Sequence, residues 1–383
     1  MADEEEAPIY YESKSVAWAK LNDLQVDLMA DDVEIDESMC AWSLQEMIAY
    51  LSSGGADRPK ESVPAPASDP VEPYIPADPE LWKLWFPRWT PHERPKLRLI
   101  ALHPKGSSAD FWHAFDPKGS KRRPFFDEAG SWLELLAPEL PGRMSRRLEP
   151  PMTDIHVLTD AIANILEPSR PIRGFKSFIV PSHRAHTDAL LPPLFVVLMD
   201  GVPYALVGHS MGSWIAFDLC KQLAKLGVPP PIAFFGNCFP SPSLGFDERP
   251  WEHGDSAGHP PLSADDTLPP ELIEQLLKWG TPKAAFAPNQ LRRWWPVYVA
   301  DHHIYDNFEW EGDKLPCPLY VTWATEDGGP TSQMVASWEA VSGSGGFEKL
   351  DLQGAGHLFM KVDEHRLEWQ LWVLDKLRAL MHD

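Results

Sequence analysis

The segment Tyr204-Ala205-Leu206-Val207-Gly208-His209-Ser210-Met211-Gly212 joins an apolar run to the motif Gly-x-Ser-x-Gly, and a pattern with helical spacing follows it. A serine on a sharp turn between a strand and a helix holds its hydroxyl above the edge of a sheet, where the next backbone N–H can stabilise an oxyanion. Gly208 and Gly212 suit that turn because a Cβ at either position would crowd the strand or the helix. The motif alone occurs in many chains. In this context it predicts Ser210 as a nucleophile, the alternative being a serine with only a structural role in the turn.

Short apolar runs elsewhere in the chain alternate with patterns of helical spacing. Three of these runs, at 97–102, 132–136 and 232–236, predict buried strands, and two further strands are predicted at 319–322 and 347–352. Helices are predicted at 153–166, 211–226, 332–341 and 363–380, and Thr153 is the predicted N-cap of the first of them. The alternation predicts an α/β fold in which a mostly parallel sheet carries helices on both faces.

The chain has 383 residues and divides by composition into three regions. Residues 1–58 are predicted to be an acidic, weakly helical extension, and the proline-rich residues 59–95 a linker. Within that linker, the apolar stretch 81–86 is predicted to dock on the domain that follows. Residues 96–383 form the predicted catalytic domain, in which about 239–310 would make a helical lid.

The formal net charge is −22, and much of it lies near the N-terminus. Such a balance argues against nucleic acid as a partner. No apolar run reaches the roughly 18 residues of a membrane span, and the acidic N-terminus differs from basic signal and transit peptides. The four cysteines lack the spacing of a metal site. We therefore expect a cytoplasmic protein that uses no metal and no cofactor.

A serine nucleophile needs a base, and a carboxylate that orients this base. On this kind of sheet the order along the chain is serine, acid, histidine. His357 lies among small residues directly after the last predicted strand, where glycines allow an imidazole to approach the serine. The alternatives are the pair His302-His303, whose position before the acid fits a lid, and His209, which we expect to pack beside the nucleophile. We predict His357 as the base.

The acid is expected where the strand 319–322 ends. Glu326 and Asp327 follow it, and Asp327 is favoured because it adjoins two glycines that form a tight turn. The preceding strand ends near Asn237, whose amide cannot stabilise an imidazolium as a carboxylate does. This supports Asp327 as the third member of the triad.

An oxyanion hole needs two backbone N–H groups. The residue after the nucleophile, Met211, supplies one of them. The loop after the first core strand supplies the other, and because Pro104 has no N–H, Lys105 is the predicted donor.

Segments inside and outside the catalytic loops carry a family resemblance that runs from about Leu97 to Leu380. They are Leu102-His103-Pro104-Lys105-Gly106-Ser107, Glu139-Leu140-Pro141-Gly142-Arg143, 208–212, 268–272, 296–305, 316–319, Asp327 and 356–359. Together they resemble the stand-alone type II thioesterases of polyketide, nonribosomal-peptide and fatty-acid synthases, which have the α/β-hydrolase fold.

The resemblance implies hydrolysis of acyl thioesters on the phosphopantetheine arm of an acyl or peptidyl carrier protein. Ser210 would take the acyl group, and His357 would activate water to release it. One departure concerns the first loop, which in the family usually is His-Ala-Gly-Gly and here has Pro104 and Lys105 in the middle.

The predicted lid is rich in aromatic residues. Trp279, Trp294 and Trp295 are candidates for the lining of an acyl tunnel, the alternative being that they form the core of the lid.

Two inserts, at 118–124 and 167–187, have no counterpart that we can place in the family. The first contains Lys121, Arg122 and Arg123, which are local exceptions to the acidic composition. They are candidates for docking a carrier protein, since such proteins are commonly acidic. The alternative is a solvated basic loop.

Two other functions use the same residues or the same fold. A carboxylesterase, lipase or acyltransferase would employ the same triad on a different ester. A non-catalytic interaction protein would keep the hydrolase fold without its chemistry, which a complete triad argues against.

Overall fold

The computed structural model describes residues 44–53, 79–90, 92, 94–113, 123–166, 198, 201–251, 262, 267–306 and 308–382. The chain consists of two units, residues 1–72 and residues 73–383. The first contains helix α1 (Leu44–Ser52). The insert 167–187 and all but the end of the insert 118–124 lie outside the described residues.

A six-stranded parallel sheet is the centre of the second unit, with the order β2-β1-β3-β4-β5-β6. Its strands are β1 (Leu97–Leu102), β2 (Leu133–Leu136), β3 (Tyr204–His209), β4 (Ala233–Asn237), β5 (Leu319–Ala324) and β6 (Phe347–Leu352). Each of them overlaps a predicted strand. Strands β1, β2, β3 and β4 are buried along their whole length, and strands that are buried on both faces need apolar residues at nearly every position. The edge strand β6 instead mixes apolar and charged residues and is only partly buried. The predicted α/β class is confirmed.

Helices cover both faces of this sheet. The helices of the second unit are α2 (Pro79–Trp85), α3 (Asp110–His113), α4 (Pro124–Asp127), α5 (Ile155–Leu166), α6 (Met211–Lys225), α7 (Pro270–Lys278), α8 (Pro288–Asp306), α9 (Ser332–Ala336) and α10 (Asp363–His382). Helix α7 belongs to the cluster of the lid, not to the two cores on the sheet. Single turns of 3₁₀ helix lie at Met144–Arg146, Phe246–Glu248, Lys283–Phe286, Ser337–Val341 and Phe359–Lys361. No described helix is both long enough and apolar enough to cross a bilayer.

Two cores lie on opposite faces of the sheet because successive side chains of a strand point in opposite directions. On β1, Ile100 and Leu102 belong to a core shared with α2, α5 and α6. Leu99 and Ala101 belong to a second core, which α3, α4 and α10 complete.

Most of the stretch 81–86, which was predicted to dock on the domain that follows, lies in helix α2. Trp82, Trp85 and Phe86 are each at most 3% exposed and lie in the first core. The Glu139 N–H donates to the Trp85 carbonyl at 2.7 Å. The docking is confirmed, and the apolar residues of this stretch account for it.

The predicted cap of α5 is wrong by one residue. The helix begins at Ile155, and the Asp154 carboxylate, not Thr153, accepts the N–H groups of His156 and Val157 at 2.8 and 3.0 Å. Both residue types cap helices well, but a carboxylate is also favoured by the helix dipole.

Strand β1 lies between β2 and β3 in the sheet. After β1 the chain continues to β2 on one side, and after β3 it continues to β4 on the other side. Loops at such a switch point form a crevice at the carboxyl edge of the sheet. The loop after β1 and the turn after β3 are the two segments that carry the predicted oxyanion donors and nucleophile.

Candidate active site

Ser210 occupies a strained turn between β3 and α6. Its backbone has φ 53° and ψ −128°, a left-handed conformation that costs energy for a residue with a Cβ. The Ser210 N–H donates to the Asn237 carbonyl at 2.7 Å, which ties the turn to the end of β4. A Cβ on Gly208 would lie 2.3 Å from the Gly212 carbonyl oxygen, and one on Gly212 would lie 2.2 Å from the Leu102 carbonyl oxygen. The turn therefore accepts glycine alone at both positions, as the sequence predicted.

Three side chains from separate loops come together at this turn. His357 Nε2 lies 3.1 Å from Ser210 Oγ, and His357 Nδ1 lies 2.8 Å from Asp327 Oδ2. The Asp327 side chain is fully buried and the His357 side chain is 13% exposed. With Nδ1–H donated to the carboxylate, Nε2 is left to accept a proton from the serine hydroxyl.

The two candidate acids in the turn after β5 make different contacts. Asp327 Oδ1 accepts the Gly329 N–H at 2.8 Å, so the glycine turn holds the carboxylate in place. Glu326 is exposed, and its backbone N–H donates to the Ala355 carbonyl. The Asn237 side chain makes a different contact: its N–H donates to the Gly208 carbonyl at 2.8 Å.

Two of the competing histidines, His209 and His302, are buried in other surroundings, and the third, His303, is half-buried. His209 Nε2 lies 2.8 Å from the His357 carbonyl oxygen, and its ring packs against Phe111 and Phe359. Burial lowers the pKa of His209 well below its usual value, so the ring is neutral and supports the loop of the base. His302 lies on α8, where its Nδ1 is 2.9 Å from the Tyr305 hydroxyl.

The two predicted oxyanion donors come from separate segments near the nucleophile, Met211 from the start of α6 and Lys105 from the loop after β1. Met211 is the first residue of α6, where backbone N–H groups have no carbonyl one turn back within the helix. Pro104 and Lys105 line the same cleft as Ser210. The next N–H in that loop, that of Gly106, donates instead to Asp301 Oδ2 at 2.7 Å.

A group of contacts joins this loop to α8 and was missed at the sequence level. Arg143 binds both carboxylate oxygens of Asp301, at 2.7 and 3.0 Å, and also donates to the Ser107 carbonyl. The Trp294 indole N–H donates to the Gly106 carbonyl at 3.0 Å. Arg143 and Asp301 both lie in segments that carry the family resemblance, and this was the available signal.

A cleft of about 630 Å³, part of it open to solvent, leads to the nucleophile. Trp279 lines it, whereas Trp294 and Trp295 do not: Trp294 contacts the oxyanion loop, and Trp295 stacks on Tyr298 at 5.4 Å within the lid core. The lining residues are Pro104, Lys105, Ser210, Phe239, Pro240, Pro250, Trp251, Trp279, Thr281, Tyr298, Tyr305, Gly329, Pro330, His357 and Leu358.

Of the three docking candidates, Lys121 and Arg122 lie outside the described residues. Arg123 is exposed, and its guanidinium lies 3.5 Å from the Asp127 carboxylate one turn along the chain. An exposed pair of this kind is weak.

One protein family and several known proteins are similar to this chain. Residues 193–241, which include β3, Ser210 and β4, match the family of the thioesterase domain. The gramicidin S biosynthesis protein GrsT of Aneurinibacillus migulanus is 21% identical over 261 residues, which are 66% of this chain and 80% of that protein. The medium-chain S-acyl fatty acid synthase thioesterase of Homo sapiens is 27% identical over 234 residues, 60% of this chain and 71% of that protein.

Among solved structures, the RedJ thioesterase from the prodiginine biosynthetic pathway of Streptomyces coelicolor has the same fold. The TM-score is 0.54 at 23% identity, and the similarity covers 78% of this chain and 96% of that one.

Proposed function

We propose that the chain is a thioesterase of the α/β-hydrolase superfamily and that Ser210, His357 and Asp327 are its catalytic triad. The observation that carries the proposal is the unbroken line of short contacts from Ser210 Oγ through the imidazole to the Asp327 carboxylate. A buried carboxylate on one side of the ring and the serine hydroxyl on the other make the imidazole a base directed at that hydroxyl.

Acylation begins when His357 Nε2 takes the Ser210 hydroxyl proton and Oγ forms a bond to the thioester carbonyl carbon. The resulting oxyanion lies between the N–H groups of Met211 and Lys105. The C–S bond then breaks, the thiol leaves with the proton from His357, and the acyl group remains on Ser210. Asp327 stabilises the imidazolium throughout and keeps its own charge.

Deacylation repeats these steps with water. His357 Nε2 takes a proton from a water molecule, whose oxygen bonds to the acyl carbon. When the bond to Oγ breaks, the proton returns to Ser210. The products are a free carboxylic acid and the original enzyme.

We propose that the thiol is the phosphopantetheine arm of an acyl or peptidyl carrier protein. Ser210 is only 6% exposed and lies in a cleft whose walls include four prolines, so a substrate must bring its thioester in on a slender arm. GrsT is a gramicidin S biosynthesis protein and RedJ belongs to the prodiginine biosynthetic pathway, and both support the same class of substrate.

Intact mass measurement of acylated carrier proteins tests this function. We expect wild type to convert them to the free phosphopantetheine form, and Ser210→Ala to leave them acylated. The matched control is an oxoester of the same acyl group, which should turn over more slowly. Equal or faster turnover of the oxoester would favour a carboxylesterase, and transfer of the acyl group to an alcohol instead of water would favour an acyltransferase.

The docking role of Lys121, Arg122 and Arg123 is a further part of the proposal. Reversing all three charges should raise KM for acyl-carrier substrates about tenfold and leave KM for small free thioesters unchanged. Lys314→Glu is a control, since Lys314 is exposed and precedes the amino end of β5, away from the catalytic edge. Unchanged KM for the carrier substrate would remove the docking role.

A further inference from the structure

Asn237 contacts the turn of Ser210 with three separate hydrogen-bonding groups. It is the last residue of β4 and is only 1% exposed. Its carbonyl accepts the Ser210 N–H at 2.7 Å, and its side-chain N–H donates to the Gly208 carbonyl at 2.8 Å. Its own backbone N–H donates to Ser213 Oγ at 3.1 Å. These bonds reach residues before and after the nucleophile, so a single residue joins the end of β3 to the first turn of α6.

The turn needs such a restraint because its conformation is strained. Ser210 has φ 53° and ψ −128°, which a residue with a Cβ rarely adopts. The glycines at 208 and 212 give the backbone room for the turn, but room alone does not hold Ser210 in an unfavourable conformation. A strained residue keeps its conformation only where its surroundings fix it. The two peptide groups that precede Ser210 are both bonded to Asn237, one through the Gly208 carbonyl and the other through the Ser210 N–H.

The Asn237 side chain is not explained by packing. Its Oδ1 is buried and has no hydrogen-bond partner among the residues that the structure describes. A buried acceptor without a partner is unfavourable, and a leucine of nearly the same shape would avoid it. What a leucine lacks is the N–H that donates to the Gly208 carbonyl. This bond to the turn therefore distinguishes the amide from an apolar residue at the same position.

We propose that Asn237 is a positioning residue that fixes the turn of Ser210, so that Oγ stays within reach of His357 Nε2. The inference rests on the proposed function, since it takes Ser210 as the nucleophile. The distance from Oγ to Nε2 is 3.1 Å, and a small rotation of the turn would lengthen it beyond a hydrogen bond. Asn237 does not line the cleft, so it acts through the backbone of the turn and not on the substrate.

Asn237→Leu tests this role because it keeps the volume of the side chain and removes the donor. The kcat for an N-acetylcysteamine thioester should fall about tenfold, the effect of one hydrogen bond. KM should stay within about twofold of wild type, because no contact with the substrate is lost. The rate at which a fluorophosphonate labels Ser210 should fall by the same factor as kcat, since labelling needs the nucleophile and no thioester.

Thr322→Val is the matched control. Thr322 lies beside Asn237 in the register of β4 and β5, is fully buried, and accepts the Trp369 indole N–H at 3.1 Å. The substitution likewise keeps the shape and removes one buried side-chain hydrogen bond, but this bond does not involve the turn. Urea denaturation should show a loss of stability in Thr322→Val, whereas its kcat and its labelling rate should equal those of wild type.

Ser213→Ala tests the same restraint from the helix side and serves if Asn237→Leu does not fold. It removes the hydroxyl that accepts the Asn237 backbone N–H and leaves the bond to Gly208 in place. The labelling rate of Ser210 should fall about threefold, since a weaker restraint is lost, and KM should again stay unchanged.

The outcomes separate this inference from the proposed function. Wild-type kcat and labelling rate in Asn237→Leu, or in Ser213→Ala where that variant is used, overturn the role of Asn237 and leave the thioesterase activity standing. Equal falls of kcat in Asn237→Leu and Thr322→Val overturn it as well, because a loss of stability would then explain both. A wild-type protein that hydrolyses no thioester, and whose Ser210 is not labelled, would overturn the proposed function itself.

Discussion

The two sides of the cleft are built in different ways. On the triad side, each proposed catalytic group lies in the segment that follows a strand of the parallel sheet: Ser210 follows β3, Asp327 follows β5 and His357 follows β6. On the lid side, the loop after β1 is held by side chains of α8, which lies almost two hundred residues further along the chain. The sheet positions the first set of groups, whereas a buried ion pair and a tryptophan position the second.

This difference suggests that the two sides respond differently to substitution. The strand ends are fixed by the backbone ladder of the sheet, so the triad tolerates changes in the lid. The loop that contains Lys105 depends on the Arg143–Asp301 pair and on Trp294. Changes on the triad side should therefore abolish turnover, and changes on the lid side should lower it by degrees.

The largest effect is expected on the triad side, for Asp327→Asn. The amide would stabilise the wrong tautomer of His357 and would not stabilise the imidazolium, so kcat should fall about 10⁴-fold. Steady-state hydrolysis of an N-acetylcysteamine thioester measures it. Glu326→Gln is the matched control because Glu326 is exposed in the same turn, and its kcat should stay within about twofold of wild type. Equal losses in the two variants would contradict the assignment of the acid.

On the lid side, Asp301→Asn should have an intermediate effect. It leaves the buried Arg143 guanidinium without its carboxylate, which should cost about 3 kcal/mol of stability or more. The Gly106 loop should loosen with it, and kcat should fall about 10-fold to 100-fold because the oxyanion donor moves.

Glu134→Gln is a control for that variant, since Glu134 pairs with buried Arg98 between β1 and β2, at 2.8 Å. Urea denaturation should show a loss of stability in both variants, whereas kcat should fall in Asp301→Asn alone. A similar fall of kcat in both would mean that instability, not the position of the loop, limits turnover.

The same contrast between the triad side and the lid side of the cleft explains which features the sequence predicts. The strands, Ser210, His357 and Asp327 could be predicted because motif, order and apolar runs are local features. The contacts of Asp301 with Arg143 and Gly106 could not, since they join residues that are far apart in sequence and have no fixed spacing. The bond from the Trp294 indole N–H to the Gly106 carbonyl is of the same kind, and the aromatic composition of the lid did not predict it.

A smaller effect on the lid side is expected for Trp294→Phe. The ring remains but the donor to the Gly106 carbonyl is lost, so kcat should fall about threefold to tenfold, in line with one neutral hydrogen bond. Trp310→Phe removes a comparable bond to the Asp313 carbonyl outside the cleft and should leave kcat unchanged. Wild-type kcat in Trp294→Phe would show that Arg143 and Asp301 hold the loop without it.

The smallest effect concerns the pH dependence of stability. Burial raises the pKa of Glu139, which lies near Arg143, to about 7, whereas an unfolded glutamate has a pKa of about 4.3. The folded protein therefore favours the neutral form of Glu139. The stabilisation that this neutral side chain contributes is present below pH 4 and is lost as the pH rises through 7. Glu139→Gln should match wild type at pH 5 within about 1 kcal/mol and be more stable at pH 8, by about 2 kcal/mol. Urea denaturation at both pH values measures this, and an identical difference at the two would refute the shift.

Labelling with a fluorophosphonate probe, followed by peptide mapping, tests the activated serine most directly. The account predicts one modified residue, Ser210, in the wild-type protein, and a rate of labelling that falls at least about 10³-fold in His357→Ala. Modification of a different serine, or labelling of His357→Ala at the wild-type rate, would contradict it.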